Sequence, residues 1–238
     1  MAQKTILAIL QSVAAELNLP QPTNIVSNQD QNVKKLLALT SAVCDDLLAE
    51  FDWQVLHTRY NFSTTPDVEA YDFPADRGRF ISGTFFDANN QWPMAGSKTP
   101  TQWEWSKAST FNGSPFSEFR VYGDKFYVSP IPDATTKTFN FEYVSNAYVL
   151  DGSTGVAKPN FTQDSDICRF DHRVVIYGVK LKFRESISQD TTSALADYNR
   201  ALEFAKGSDQ PAQTLNLLGA AGFQFLSTSN YPDGSWTV

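Results

Sequence analysis

Apolar residues recur at helical spacing near the start of the chain. Four of them form one stripe over residues 5–17, and Pro20 ends the helix that this stripe predicts. Ser27 and Asp30 have the spacing of a capping box, with Asp30 in place of the usual Glu or Gln. We expect a long second helix to start there and to run to about residue 51.

Helical spacing returns in the last third of the chain. From about residue 167 the apolar residues cover more than one face, which predicts a central helix that is buried on several sides. Asp166 is expected to cap the start of this helix. Residues 191–206 predict a last helix with one apolar stripe, for which Asp190 is the expected N-cap and Gly207 the expected end.

Between these helical segments, residues 53–148 show the alternation of apolar and polar positions that is typical of strands. One such run places three aromatic residues on one face at residues 139–143. The dipeptide Gly-Asp at residues 123–124 predicts a tight hairpin turn. Trp103 and Trp105 are expected to share one sheet face, where they are core or interface residues or, if exposed, a platform for sugar rings.

The order of these elements predicts an α+β fold. We expect the four helices to pack as one bundle, with an antiparallel β-rich domain inserted between the second and the third helix. The predicted domains are the bundle at residues 1–52 and 166–206, the β-rich domain at residues 53–165, and an extended C-terminal arm at residues 207–238.

Composition limits the partners that this chain is expected to have. Its formal net charge is −7 at pH 7, whereas binding of nucleic-acid phosphates without sequence preference needs clustered Lys and Arg. No run reaches the roughly 20 apolar residues of a membrane helix and no signal peptide is evident, so we expect no membrane contact. Cys44 and Cys168 both fall in predicted helices and are interpreted as buried thiols, with a disulfide left open.

Few residues are candidates for catalysis or for metal binding. His57 and His172 have neither the spacing of a zinc motif nor a cysteine cluster, and we interpret both as structural or surface residues. Asp164, Asp166 and Asp171 lack the glycine and the final glutamate of a calcium loop, and helix capping explains them more simply. We therefore expect no catalytic residue, no metal and no cofactor.

The C-terminal arm is rich in large apolar residues but has no sustained period. It contains no Lys or Arg, whereas a disordered tail is usually polar and charged. Full burial of each large apolar side chain contributes roughly 1.5–3 kcal/mol, so the arm is expected to lie on a surface. That surface is either the protein's own core or a partner. For a partner, the expected docking residues are Leu215, Leu217, Leu218, Phe223, Phe225, Tyr231 and Trp236.

Five short motifs follow one another along the chain. The first is LLAEFDW at residues 47–53, and the last is FTQDSD at residues 161–166, just ahead of the central helix. Between them lie YDFPAD at residues 71–76, YGDK at residues 122–125 leading to Pro-Ile-Pro, and FEYVS at residues 141–145. In this order they resemble the head-to-tail adaptor of tailed bacteriophages, also called the tail tubular or head-completion protein, over residues 29–206.

The resemblance implies a structural protein of the virion, made in the host cytoplasm, that has no enzymatic activity. Such adaptors form a homo-oligomeric ring, expected to hold about twelve copies, below the ring of the portal protein. The ring extends the channel through which DNA is ejected and provides the platform for the nozzle or another tail protein. In these adaptors a C-terminal extension runs along the portal, which is the role expected for the arm.

The acidic charge fits a channel through which DNA passes without sequence-specific binding. Twelve copies at −7 each carry a formal charge of about −84, which repels phosphate if the acidic residues line the channel. The main alternative is a tail module directed at the cell wall, which binds or hydrolyses peptidoglycan. Hydrolysis needs a pair of carboxylates in a cleft, and Glu104 and Glu118 are the glutamates near the tryptophans.

Overall fold

The computed structural model describes residues 4–108, 117–133 and 136–209. The described chain has the predicted α+β fold, with helices and antiparallel sheets. The helices are α1 (Ile6–Glu16), α2 (Gln31–Glu50), α3 (Pro100–Ala108), α4 (His172–Ser186) and α5 (Thr192–Asp209). The strands are β1 (His57–Ser63), β2 (Ala70–Asp72), β3 (Arg77–Phe80), β4 (Phe86–Asp87), β5 (Trp92–Pro93), β6 (Glu118–Tyr122), β7 (Lys125–Ser129), β8 (Thr138–Ser145), β9 (Val149–Leu150), β10 (Ala157–Lys158) and β11 (Ile167–Cys168).

Side chains cap the two N-terminal helices. The hydroxyl of Thr5 accepts a hydrogen bond from an amide in the first turn of α1. At the start of α2 the cap is Asp30, whose carboxylate accepts from the Asn32 amide at 2.8 Å. The predicted start at Ser27 is therefore wrong by about one turn. The Ser27 hydroxyl instead accepts a hydrogen bond from the side chain of Asn24.

The start of α4 also lies later than predicted. Its cap is Asp171, whose carboxylate accepts from the Arg173 amide at 2.7 Å. Asp166 is not a helix cap, because Ile167–Cys168 forms β11 and pairs with β9. Cys168 thus lies in a strand, which corrects the prediction of a helix, whereas Cys44 lies in α2 as predicted.

The last helix begins one residue later than predicted and also ends later. The N-cap position is Thr191, whose carbonyl accepts from the Leu195 amide at 2.8 Å, so Asp190, the predicted cap, lies one residue before the cap position. Its carboxylate still accepts a hydrogen bond from the Thr192 amide at 3.0 Å. Gly207 does not end the helix, since α5 continues to Asp209.

Helix α4 is the centre of the helical layer, as its apolar residues predicted. It packs against α1, α2 and α5. Its buried residues include Val174, Val175 and Val179, which join one hydrophobic cluster with residues of the other three helices. Apolar burial on several sides, rather than helix propensity, stabilises this helix in its place.

Two glycines in helices allow a matched test of this packing. A Cβ added to Gly178 in α4 would meet Val43 Cγ1 at 2.7 Å and Tyr198 Cε2 at 3.2 Å, whereas one added to Gly207 in α5 would meet nothing within 4 Å. We expect Gly178→Ala to lower the free energy of unfolding by about 1–3 kcal/mol. Gly207→Ala should raise it by less than about 1 kcal/mol, because alanine favours a helix. Urea denaturation measures both, and equal effects would contradict the close approach of α4 to α2.

The named strands pair antiparallel throughout, as predicted. A five-stranded sheet has the order β1-β8-β4-β5, with β3 also pairing to β8, and two three-stranded sheets have the orders β2-β7-β6 and β10-β9-β11. The predicted hairpin turn joins β6 to β7, where Gly123 has a φ of 57°. Phe139, Phe141 and Tyr143 are buried in an aromatic cluster between sheets.

Trp103 and Trp105 do not lie in a strand. Both belong to α3, where residues two apart point in directions about 200° apart. Trp103 is therefore buried, with 3% of its surface exposed, whereas Trp105 is 75% exposed. The alternation that predicted a shared sheet face arose from a helix that lies on the β-rich region.

Candidate interaction surfaces

The predicted docking residues of the arm lie outside the described residues. They are Leu215, Leu217, Leu218, Phe223, Phe225, Tyr231 and Trp236. The structure does place the start of the arm. Asp209 ends α5, and its carboxylate accepts a hydrogen bond from the Gln54 amide at 2.5 Å, just before β1.

A shallow cavity lies beside this point. Its volume is about 200 Å³, and its walls come from the start of the chain, the segment before β1, the start of α4 and the end of α5. Arg169 lines it and donates to the carbonyl of Ala147 at 3.2 Å and to that of Val55. Asp209, the last described residue before the arm, therefore lies where the helices meet the β-rich region.

A second exposed region lies between α3 and the β6–β7 hairpin. It is an open groove of about 440 Å³, lined by aromatic and charged side chains. Tyr122 at the hairpin is 65% exposed, and the Arg120 guanidinium lies 5.2 Å from the centre of its ring. On the other wall, Lys107 forms an ion pair with Glu69 at 2.5 Å. The groove was not predicted, because it depends on α3.

The two glutamates of the cell-wall alternative have different surroundings. Glu104 is exposed on α3 and lines this groove. Glu118 lies in β6, where it forms an ion pair with Lys98 at 3.1 Å and accepts a hydrogen bond from Ser106 at 2.9 Å.

His57, His172 and Asp164 lie in three different segments of the fold. His57 begins β1, and His172 is the first residue of α4 beside its cap, Asp171. Asp164 accepts hydrogen bonds from the amides of Ile25 and of the next residue, both at 2.9 Å. In the part of the chain that the structure covers, no group of three or more His, Cys, Asp or Glu side chains is arranged to hold a metal ion.

Asp166 is the centre of a buried polar network that ties the loop after β10 to α1. Its carboxylate accepts from the Thr162 amide at 2.7 Å and from the Gln163 amide at 2.9 Å, and it pairs with Lys158 at 2.8 Å. Burial alone would raise the pKa of Asp166, but the Lys158 ammonium and the two amides outweigh burial and lower this pKa. The Asp166 carbonyl also accepts from the Ile6 amide at 2.7 Å.

We expect Asp166→Asn to lower the free energy of unfolding at pH 7 by about 2–4 kcal/mol, because it removes the charge that Lys158 faces. The pKa of Asp166 is lowered in the folded state, so its stabilisation is present above the unfolded pKa of about 3.9 and is lost as the pH falls. The difference between the two proteins should therefore shrink in urea titrations at low pH. A difference that does not change with pH would contradict an ionised Asp166.

The two cysteines are in contact. Cys44 Sγ and Cys168 Sγ lie 3.9 Å apart, and both residues are buried free thiols. The hydrogen bond with Cys168, together with burial, raises the pKa of the Cys44 thiol. Burial of both thiols agrees with the interpretation from sequence.

Exposed aromatic side chains beside open grooves are typical of proteins whose surface binds other proteins. In the described ranges, no helix is long and apolar enough to span a bilayer. The model of the SU10 adaptor protein family matches residues 4–220. The chain belongs to this family of phage head-to-tail adaptors, which confirms the resemblance that the five motifs indicated. The comparison with curated proteins gives no match.

Proposed function

We propose that this protein is a structural adaptor of a phage virion, which forms a ring below the portal protein and holds the tail or its nozzle. The observation that carries the proposal is the family match over residues 4–220, which spans both the helices and the strands. The expected ring holds about twelve copies and continues the DNA channel. Its work is mechanical, since it joins two assemblies and leaves a passage open.

Within this proposal, the three parts of the chain have different neighbours. The helical bundle, residues 1–52 and 166–206, packs side by side with its copies, and the arm at residues 207–238 lies along the portal. The β-rich domain, residues 53–165, faces the next tail component. The exposed side chain of Tyr122 and the groove beside α3 support the assignment of the β-rich domain to the tail, because aromatic side chains are favoured at protein interfaces.

The acidic charge supports free passage of DNA. A channel wall that binds phosphate would slow a polyanion that must slide through it. The net charge of −7 per chain is opposite to that of a surface that grips DNA.

Native mass spectrometry of the purified chain mixed with its phage's portal ring tests the proposal. We expect one copy of this chain to bind per portal subunit, in a complex that survives moderate salt. The absence of a stoichiometric complex at every salt concentration would remove the head-to-tail role. In that case zymography on peptidoglycan, with Glu104→Gln as the comparison, tests the cell-wall alternative.

A further inference from the structure

Strand β1 is an open edge of the five-stranded sheet. Its seven residues pair with β8 on one side. On the other side, no backbone group of a described residue makes a hydrogen bond with it. Alternate N–H and C=O groups of β1 therefore point away from the sheet, which is the geometry that receives an additional strand.

The two faces of this edge have different chemistry. On the inner face, Tyr60 and Phe62 stack with ring centres 5.9 Å apart and pack on the aromatic cluster, but both stay only half-buried. On the outer face, Asn140 of β8 lies opposite Asn61. With the Asn140 amide assigned the orientation that satisfies both of its ends, its nitrogen donates to Asn61 Oδ1 at 2.8 Å and its oxygen accepts from Arg59 at 3.0 Å. A strand with aromatic side chains on one face and an amide side chain on the other would match both faces of this edge.

One segment beyond the described residues has this pattern. Residues 223–229 read Phe-Gln-Phe-Leu-Ser-Thr-Ser, so that Phe223 and Phe225 flank Gln224. The segment has the same length as β1 and contains no charge, Gly or Pro. Gly222 precedes it directly, and Pro232 follows three residues after its end. Such a sequence favours a short strand.

The point at which the arm begins brings this segment within reach of β1. The Asp209 carboxylate contacts the amide of Gln54, and Gln54–Leu56 forms a single 3-10 turn of roughly 6 Å that leads into His57. The residues from 210 to 222 extend over at most about 45 Å, and β1 is about 20 Å long. The linker is therefore long enough to reach the far end of β1. From there, residues 223–229 can run back along the strand.

We infer that residues 223–229 pair antiparallel with the open edge of β1 in the same chain, before the protein meets the portal. The pairing places Phe225 opposite Tyr60 and Phe223 opposite Phe62, so that the four rings share the inner face. Gln224 then lies opposite Asn61 and continues the amide row of Asn140 and Asn61. The antiparallel direction is that of every pair of named strands in the described chain.

This pairing gives the arm two alternative binding sites, which are the β1 edge of its own subunit and the portal. Phe223 and Phe225 are also among the residues proposed to dock on the portal, so the two contacts exclude each other there. This consequence rests on the proposed function, whereas the pairing itself does not. Release of the strand on the portal would then couple docking to opening of the β1 edge.

Crosslinking of the purified full chain tests the pairing without the portal. Asn61→Cys with Gln224→Cys puts two thiols on opposed residues, and diamide oxidation should link them within one chain. The control is Glu142→Cys with Gln224→Cys, because Glu142 lies on the same face one strand further from the edge. We expect at least about fivefold more linked monomer in the first variant than in the control, as expected when opposed side chains lie close and those one strand further apart do not.

A second pair of variants fixes the direction. The proposed register puts Ser227 opposite Thr58, whereas a parallel strand would put it beside Thr64. Linkage of Thr58→Cys with Ser227→Cys, and not of Thr64→Cys with Ser227→Cys, is the expected result. Equal linkage in all variants, linkage only between two chains, or linkage only at residue 64 would overturn the proposal.

Hydrogen exchange on the unmodified sequence gives an independent readout. Amides of β1 should exchange about tenfold more slowly in the full chain than in a chain that ends at Ala221, because an added strand protects the outer edge. Peptides from α2 serve as the internal control and should not change. Equal exchange of β1 in both chains would overturn the pairing even if every cysteine variant failed to fold.

Discussion

A chain that ends at Asp209 is expected to fold as the full chain does and to lose its binding to the portal ring. The truncation keeps all of α5 and the hydrogen bond from Gln54 to Asp209. It removes the seven large apolar residues proposed for docking, each of which contributes roughly 1.5–3 kcal/mol when buried. We expect portal affinity to fall by at least about a thousandfold, which corresponds to roughly 4 kcal/mol. Titration of labelled chain with portal rings measures this loss.

A control separates specific docking from general stickiness. In this control residues 210–238 are shuffled, so that length, charge and apolar content stay the same. The shuffled chain should bind as poorly as the truncated one. If the truncated chain binds normally, the portal role of the arm is wrong. If it is insoluble while the full chain is soluble, the arm belongs to the core of its own subunit.

Phe141→Ala is expected to unfold the β-rich region at a temperature at which the helices persist. Phe141 is 1% exposed, and its ring packs against those of Tyr60, Phe85 and Phe126 within 6 Å. Removal of a buried phenyl ring costs about 3–5 kcal/mol, which is a large part of a domain's stability. The aromatic cluster is separate from the cluster around α4, so the helices should retain their packing.

Hydrogen exchange reads the two regions separately, with one set of peptides as the probe of each region. Peptides from β8 report the aromatic cluster, and peptides from α4 report the bundle. The matched control is Phe86→Ala, because Phe86 lies in the same sheet but is 38% exposed. A single transition that shifts equally in both probes would contradict the division into a bundle and an inserted β-rich domain.

The elements with strong local signals were predictable from the sequence. Helices α1, α2, α4 and α5 follow apolar stripes, and the β6–β7 hairpin follows from the Gly-Asp turn. The errors in their ends have local causes. Ser27 and Asp166 are residue types that often cap helices. In this fold the Ser27 hydroxyl accepts a hydrogen bond from Asn24, and the Asp166 carboxylate pairs with Lys158. Whether a residue caps a helix is decided by which partners reach its side-chain oxygen atoms.

Helix α3 was missed although its signals are present. Pro100 stands at its first position and Lys107 in its last turn, which is the usual composition of helix ends. The Trp-x-Trp spacing outweighed these signals, because alternation of large apolar residues is also the mark of a strand. The burial of Trp103 and the exposure of Trp105 agree with a helix and not with a shared sheet face.

The predicted docking residues remain a prediction. They fall in residues 210–238, which lie outside the described ranges. What the structure adds is the position of Asp209 and the open edge of β1, and neither has a local sequence signal. Contacts between residues more than a hundred positions apart, such as that of Gln54 with Asp209, depend on the whole fold.

The packing of α1 on α4 has a consequence for synthesis of the chain. Helix α1 is complete at Glu16, but the helix that covers its apolar stripe begins at His172. At the usual 5–20 residues per second, a ribosome needs roughly 8–30 s to cover that distance. During this interval the nascent chain displays an uncovered apolar helix, which attracts chaperones and proteases. A message truncated before α4 should therefore give a product that is degraded, rather than a fragment that competes with full-length subunits.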